Sequence, residues 1–150
     1  MTFFRTLFLL GAVLGLSGLA ACASTGGKSA GAGGQEKVVY HVNDSANASD
    51  AMRNIKNHLG ANPDTKIVVV THSKGVDFLF EGATDKNGNP YNINVEELQA
   101  KRVQFDVCAI TLQSRNLDRS KLLPGMVIVP SGVAEIAKLQ AREGYVYIKP

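Results

Sequence analysis

The sequence predicts an α/β domain: a mostly parallel five-stranded sheet with helices on both faces. Three observations predict it. Short apolar stretches at 37–42, 66–71, 103–108, 126–129 and 145–148 each read as a strand. Segments with apolar residues at helical spacing separate them, and that alternation is how parallel strands are joined. The run Lys66-Ile67-Val68-Val69-Val70-Thr71 has no polar alternation, as expected of a strand covered on both faces.

The elements follow in order. Lys37-Val38-Val39-Tyr40-His41-Val42 is the first strand, and Asn43-Asp44-Ser45 supplies turn and N-cap chemistry. Ala48, Ala51, Met52, Ile55 and Leu59 recur at helical spacing, so a helix runs to Leu59 and Gly60 ends it. Asn62-Pro63-Asp64 is a turn before the second strand. His72-Ser73-Lys74-Gly75 then turns into a helix carrying Val76, Leu79 and Phe80. The stretch Asp85-Lys86-Asn87-Gly88-Asn89-Pro90 is a surface turn or hairpin, and Asn94 caps a short helix through Leu98 and Ala100. In the third strand Val103, Phe105 and Val107 alternate with polar residues, and Cys108 closes the run. A helix or irregular helical segment over roughly 111–122 is broken by Pro124-Gly125, and Met126–Val129 is the fourth strand. Pro130-Ser131 opens a helix with Val133, Ile136, Ala137 and Gln140 on its inner side, ended by Gly144. Tyr145–Ile148 is the last strand, where packing accounts for Tyr145 and Tyr147. There is no internal repeat.

Residues ahead of the domain have another character. An apolar run from Leu7 to Ala21 follows Arg5, about the length of a signal-peptide core and short for a membrane span. It ends in Leu19-Ala20-Ala21-Cys22, which resembles the bacterial lipobox, whose cysteine is lipidated and becomes the mature N-terminus. Ordinary secretion at a small-residue cleavage site is the plainer alternative. Residues 1–21 are thus expected to be a lipoprotein signal peptide. Ala23, where an aspartate would retain the protein in the inner membrane, favours the outer membrane, facing the periplasm. Residues 22–36, from the lipidated Cys22 onward, read as a flexible Gly/Ser/Ala tether, and 37–150 as the domain. Gly27-Lys28-Ser29 is no phosphate-binding loop, because Cys22 stands where its first glycine belongs and no strand precedes it.

Charge excludes one class of partner. Past the signal segment, which holds only Arg5, 15 basic residues face 13 acidic ones without a basic cluster, so nucleic acid is not expected. Lys and Arg at 115–121 and 138–142 read as solvated helix faces. With Cys22 lipidated, Cys108 is the only thiol, and no intramolecular disulfide can form.

Each strand-to-helix junction should lie at the carboxyl edge of the sheet, where ligands bind in open α/β folds. The junctions carry Asn43 and Asp44, His72 and Ser73, Cys108, and Pro130 and Ser131. Cys108 is the candidate reactive group, since a thiol facing a helix N-terminus is favoured as thiolate. Asn43, Asp44, His72 and Ser73 are candidate pocket residues around it. A buried, inert cysteine is the competing reading.

Tyr40-His41-Val42-Asn43-Asp44, Asn54-Ile55-Lys56-Asn57-His58-Leu59, Val103-Gln104-Phe105-Asp106-Val107-Cys108, Pro130-Ser131-Gly132-Val133-Ala134-Glu135-Ile136, Leu139-Gln140 and Gly144-Tyr145 form an ordered set. The set resembles the DsrE/DsrF-like family over nearly all of 37–150. That resemblance implies a three-layer α/β/α fold, flavodoxin-like in appearance and often assembled as trimers or hexamers. It implies that Cys108 holds sulfane sulfur as a persulfide, taken from a donor protein and passed to an acceptor. Export and tethering depart from the cytoplasmic sulfur relays, so the fold carries over more firmly than the activity. The alternative is a non-catalytic binding or oligomerisation module with Cys108 inert.

Two other chemistries fit less well. A hydrolase nucleophile elbow at Ser73 would need a glycine at Thr71 and a histidine later in the chain, but His41, His58 and His72 all precede Ser73. His41, His72 and Cys108 include zinc and copper ligand types but lie on three strands without tight spacing. Hydrogen-bonded histidines are the commoner state, so no metal and no cofactor is assigned. His58, near a helix C-terminus, is expected to complement the dipole.

Overall fold

A computed structural model describes residues 34–150. The signal segment, Cys22 and most of the tether lie outside the described residues. Five strands, all paired in parallel, form one sheet: β1 (Lys37–Asp44), β2 (Lys66–Lys74), β3 (Gln104–Cys108), β4 (Val127–Val129) and β5 (Val146–Ile148). Their order across the sheet is β4-β3-β2-β1-β5.

That order dictates the layers. From β1 to β4 the chain steps in one direction, and right-handed crossovers put every connection on one face. This face takes α1 (Ala48–Ala61), α2 (Tyr91–Ala100) and α3 (Ala109–Ser114). Its core joins Val38, Tyr40, Val42, Ile67, Val69, Phe105 and Val107 of the sheet to Ile55, Val95, Leu98 and Leu112 of the helices. The step from β4 to β5 reverses direction and crosses the whole sheet, so α4 (Gly132–Glu143) covers the opposite face alone. There Val39, Val68 and Val70 pack on Ile136, Leu139 and Tyr145. The continuously apolar second strand is thus covered on both sides, as its composition requires.

Several boundaries differ from expectation, each for a local reason. Gly60 does not end α1; the helix runs to Ala61, and the Asn62 amide bonds the His58 carbonyl. Strand β2 continues through His72, Ser73 and Lys74 because β1 beside it also runs on to Asp44. Only a 3-10 turn, Asp77–Leu79, follows where a helix was expected. Asn94 lies inside α2, which begins at Tyr91 after Pro90, and its Oδ1 accepts from Lys56. The segment expected to be helical over 111–122 is α3 with a separate 3-10 turn at Arg119–Lys121. On α4 the inward residues are Gly132, Ile136 and Leu139; Val133, Ala137 and Gln140 face out. Ser131 does cap that helix, accepting from the Ala134 amide, and Gly144 ends it in the left-handed region at φ 74°.

Gln35 and Glu36, placed in the tether by composition, are already docked. Gln35 donates to the Asp64 carbonyl at 2.7 Å, and the Glu36 carboxylate accepts from Asn62 and Thr65. His58 does more than complement a dipole: Nδ1 meets the Tyr40 hydroxyl at 3.1 Å and Nε2 meets Glu36 at 3.2 Å. No helix among the described residues is long and apolar enough to cross a membrane.

Candidate functional site around Cys108

The site follows from the reversal in strand order. After β3 the chain leaves toward the face of α3; after the neighbouring β4 it leaves toward the face of α4. The carboxyl ends of adjacent strands whose exits diverge are the usual ligand position in open α/β sheets. Cys108 stands there, the last residue of β3 and the N-cap of α3. Gly132, the first residue of α4, packs beside it.

Gly132 shows how tightly these parts meet. A Cβ there would lie 3.1 Å from the His72 Cβ, 3.2 Å from the Thr71 carbonyl oxygen and 3.3 Å from the Cys108 Cβ. His72 and Cys108 are therefore neighbours on the sheet face beneath the start of α4. Any larger residue would make these neighbours give by a few tenths of an ångström, so glycine lets the helix start come this close without adjustment.

Cys108 is the free cysteine of the described residues, 4% exposed. Burial pushes its thiol up, since a charged sulfur loses hydration. Hydrogen bonding from the Thr111 side chain and the amides of Gly132, Thr111 and Ile110 outweighs that, so the thiol titrates below an ordinary cysteine. The Ser73 amide donates to Thr111 Oγ1 at 3.0 Å, which leaves the Thr111 proton for the sulfur.

The end of β2 is shaped for this. Between Val42 and Asp44, β1 advances two residues; the paired stretch of β2, Thr71 to Lys74, advances three. The extra residue makes a bulge at His72-Ser73, a device that re-aims side chains beside functional sites. Ser73 sits at φ 54°, in the left-handed region that a non-glycine residue adopts at a cost. Its amide is held by Thr111, and its carbonyl accepts from Arg115 at 2.9 Å. Arg115 also grips Asp77 with both guanidinium nitrogens, at 2.7 and 3.2 Å, and is more than a solvated face.

The histidines form a chain of hydrogen bonds. His41 Nε2 and His72 Nε2 lie 2.7 Å apart, His41 Nδ1 meets the Tyr147 hydroxyl at 2.7 Å, and His72 Nδ1 meets Ser73 Oγ at 2.9 Å. Desolvation, the neighbouring His72 and the Lys149 ammonium hold His41 down, to about 4. His72 is lowered by burial and by Lys149. Both shifts favour the neutral imidazole. Among the described residues no group of three or more His, Cys, Asp or Glu could hold a metal ion.

The other expected pocket residues are otherwise engaged. Asp44 Oδ1 accepts from the Ala46 amide and caps the 3-10 turn before α1. The backbone of Asn43 packs under Gly75, where a Cβ would come 2.8 Å from the Asn43 Cα. Neither is among the groups that lower the Cys108 thiol.

Four residues escaped sequence reasoning. Thr111 and Gly132 carried no signal beyond following the junctions. Tyr147, attributed to packing, is a hydrogen-bonding partner of His41. Asp106 gave the one readable hint, a carboxylate inside a strand otherwise buried. It is fully buried; Oδ1 accepts from Gln104 at 2.7 Å and Oδ2 has no partner. Burial pushes it up to about 6.

Comparison with known proteins agrees with this architecture. Of solved structures, the protein of unknown function MTH1491 from Methanobacterium thermoautotrophicum is 30% identical. It superposes with a TM-score of 0.69 over 77% of this chain and 100% of its own. The ychN protein from E. coli shares the fold at 16% identity and a TM-score of 0.63, over 78% of this chain and 100% of its own. No functionally curated protein matches the chain. A family model matches residues 29–150, and the chain belongs to the DsrE/DsrF-like family.

Proposed function

We propose that this protein carries sulfane sulfur as a persulfide on Cys108. The family is associated with sulfur relay. The observation that carries the reading is the thiol itself. Cys108 lies at the carboxyl end of β3, where the exits of β3 and β4 diverge, and the Thr111 side chain and three backbone amides favour its thiolate.

The chemistry is an exchange without net oxidation. The Cys108 thiolate attacks the outer sulfur of a donor persulfide, forming a new sulfur–sulfur bond as the donor's breaks, and the donor leaves as thiolate. An acceptor thiolate then takes the outer sulfur, and Cys108 leaves in turn. A low-pKa thiol suits both halves, because it is ionised as nucleophile and stable as leaving group. The backbone amides that favour the thiolate would equally hold a persulfide anion.

We place this chemistry in the cell envelope. Cys22 would carry the lipid anchor, with the domain facing the periplasm at the outer membrane, and the domain would assemble as a trimer or hexamer. A Cys22→Ala variant that keeps its signal segment and leaves the membrane fraction would support the anchor; unchanged membrane association would remove it.

Cys108 being 4% exposed favours the second reading, an inert cysteine in a binding or oligomerisation module. Mass spectrometry of the reduced full chain after incubation with polysulfide separates the two. One sulfur gained on Cys108 and lost to reductant supports the carrier. No gain at Cys108, with donor in excess, leaves the binding module.

A further inference from the structure

We propose that His41 and His72 form a two-nitrogen site for a cuprous ion, a function independent of persulfide formation at Cys108. The two Nε2 atoms converge on one point, 2.7 Å apart. Each imidazole is fixed from behind through Nδ1, His41 by the Tyr147 hydroxyl at 2.7 Å and His72 by Ser73 Oγ at 2.9 Å. A ligating histidine is oriented in the same way, with one ring nitrogen on the metal and the other on a hydrogen-bonding partner. The rings lie with centroids 4.7 Å apart and planes tilted by 31°.

The ion is selected by the number of ligands. Zinc requires about four ligands, whereas the described residues provide no cluster of three. A d¹⁰ monovalent copper ion is satisfied by two nitrogens in line. Two metal–nitrogen bonds of about 2 Å put the nitrogens about 4 Å apart, so the half-buried rings must separate by roughly 1 Å from their 2.7 Å contact.

Protons balance without release from the rings. In the empty pair one proton lies between the Nε2 atoms and one on an Nδ1. On binding, both rings become Nδ1–H tautomers, one donating to Tyr147 and the other to Ser73, whose hydroxyls rotate to accept. Both Nε2 lone pairs are then free for the metal.

The test is anaerobic titration of the reduced full chain with Cu⁺ against a chromophoric cuprous chelator, with Zn²⁺ in a parallel titration. The expected result is one Cu⁺ per chain, kept in Cys108→Ser and lost in His72→Gln and in His41→Gln/His72→Gln. Tyr147→Phe should weaken retention about tenfold through the ring it orients. Ring ¹⁵N NMR of the unaltered protein should show both Nε2 resonances shift on copper addition while both Nδ1 atoms keep protons, a readout that needs no variant. Failure of the wild type to hold Cu⁺, retention in the double histidine variant, loss in Cys108→Ser, or equal retention of Zn²⁺ would each overturn the site. Sulfur loading of the double variant remains the separate test of Cys108.

Discussion

Asp106 offers a quantitative test of how this sheet is covered. Its side chain is fully buried on the α4 face, with one carboxylate oxygen bonded to Gln104 and the other without a partner. Burial pushes the group from 3.8 up to about 6. A carboxyl whose pKa rises on folding binds its proton more tightly in the native state. It therefore leaves stability untouched below the unfolded pKa and destabilises progressively as pH rises through the folded one. At about 1.4 kcal/mol per unit, the shift from 3.8 to about 6 costs the folded state about 3 kcal/mol above neutrality. Some 2 kcal/mol of that, roughly, falls between about pH 4.5 and about pH 7.5. Asp106→Asn removes the titration and keeps the shape. Any mismatch of the amide with the orphan position is a fixed offset, the same at both pH values. Urea unfolding of wild type and variant at the two pH values reads the difference. With a slope of about 2 kcal/mol per molar, the wild-type midpoint should fall by roughly 1 M relative to the variant on going to the higher pH. Parallel midpoints would refute the reasoning, because they would mean that the folded state ionises Asp106 without penalty.

Other perturbations follow from the same contacts. Thr111→Val strips a hydrogen bond from Cys108 and leaves the Ser73 amide without its acceptor. It should slow alkylation of the native thiol at neutral pH and destabilise by about 1–3 kcal/mol, whereas Thr111→Ser should retain both properties. At Gly75 an added Cβ would meet the Val42 carbonyl oxygen at 2.1 Å, a backbone atom that cannot move aside, whereas at Gly132 the shortest approach is 3.1 Å. Thermal melts should accordingly show Gly75→Ala losing more than the roughly 1–3 kcal/mol typical of overpacking, and Gly132→Ala falling within it. His41, held to about 4, should titrate well below the usual histidine value when its ring protons are followed by NMR. Because a lowered imidazole pKa favours the folded state only while the ring is neutral, that share of stability is lost as pH falls from 6.5 toward 4.

How far the sequence could be read depends on the range of the interaction concerned. Strands declared themselves through their own residues: the uninterrupted Ile67–Val70 and the alternating Val103, Phe105 and Val107 needed no partner to be recognised. Cys108 was legible for the same reason, since the apolar alternation stops at it. The continuation of β2 through His72 and Ser73 was not, because it is fixed by pairing of Asp44 with Lys74 and by the Thr111 hydroxyl 38 residues away. Local turn chemistry at Ser73-Lys74-Gly75 suggested a helix, and tertiary hydrogen bonds overrode it. The inner face of α4 differs from expectation at Val133, Ala137 and Gln140 because 12 residues of mixed small and polar character leave the phase of the helix to the sheet beneath. Gly132 and Tyr147 acquire their roles only when strand order brings β4 beside β3 and β5 beside β1. Strand order is the property that spacing along the chain does not encode.

Sulfur carriage depends most directly on the ionisation of Cys108. The decisive measurement is the rate of alkylation of the native, reduced full chain by a small uncharged reagent, followed across pH. Donation from Thr111 and the amides of Ile110, Thr111 and Gly132 predicts reaction of the folded protein with a midpoint below the ordinary cysteine value of about 8.5. A midpoint at or above that value, or modification only after the chain is unfolded, would contradict it.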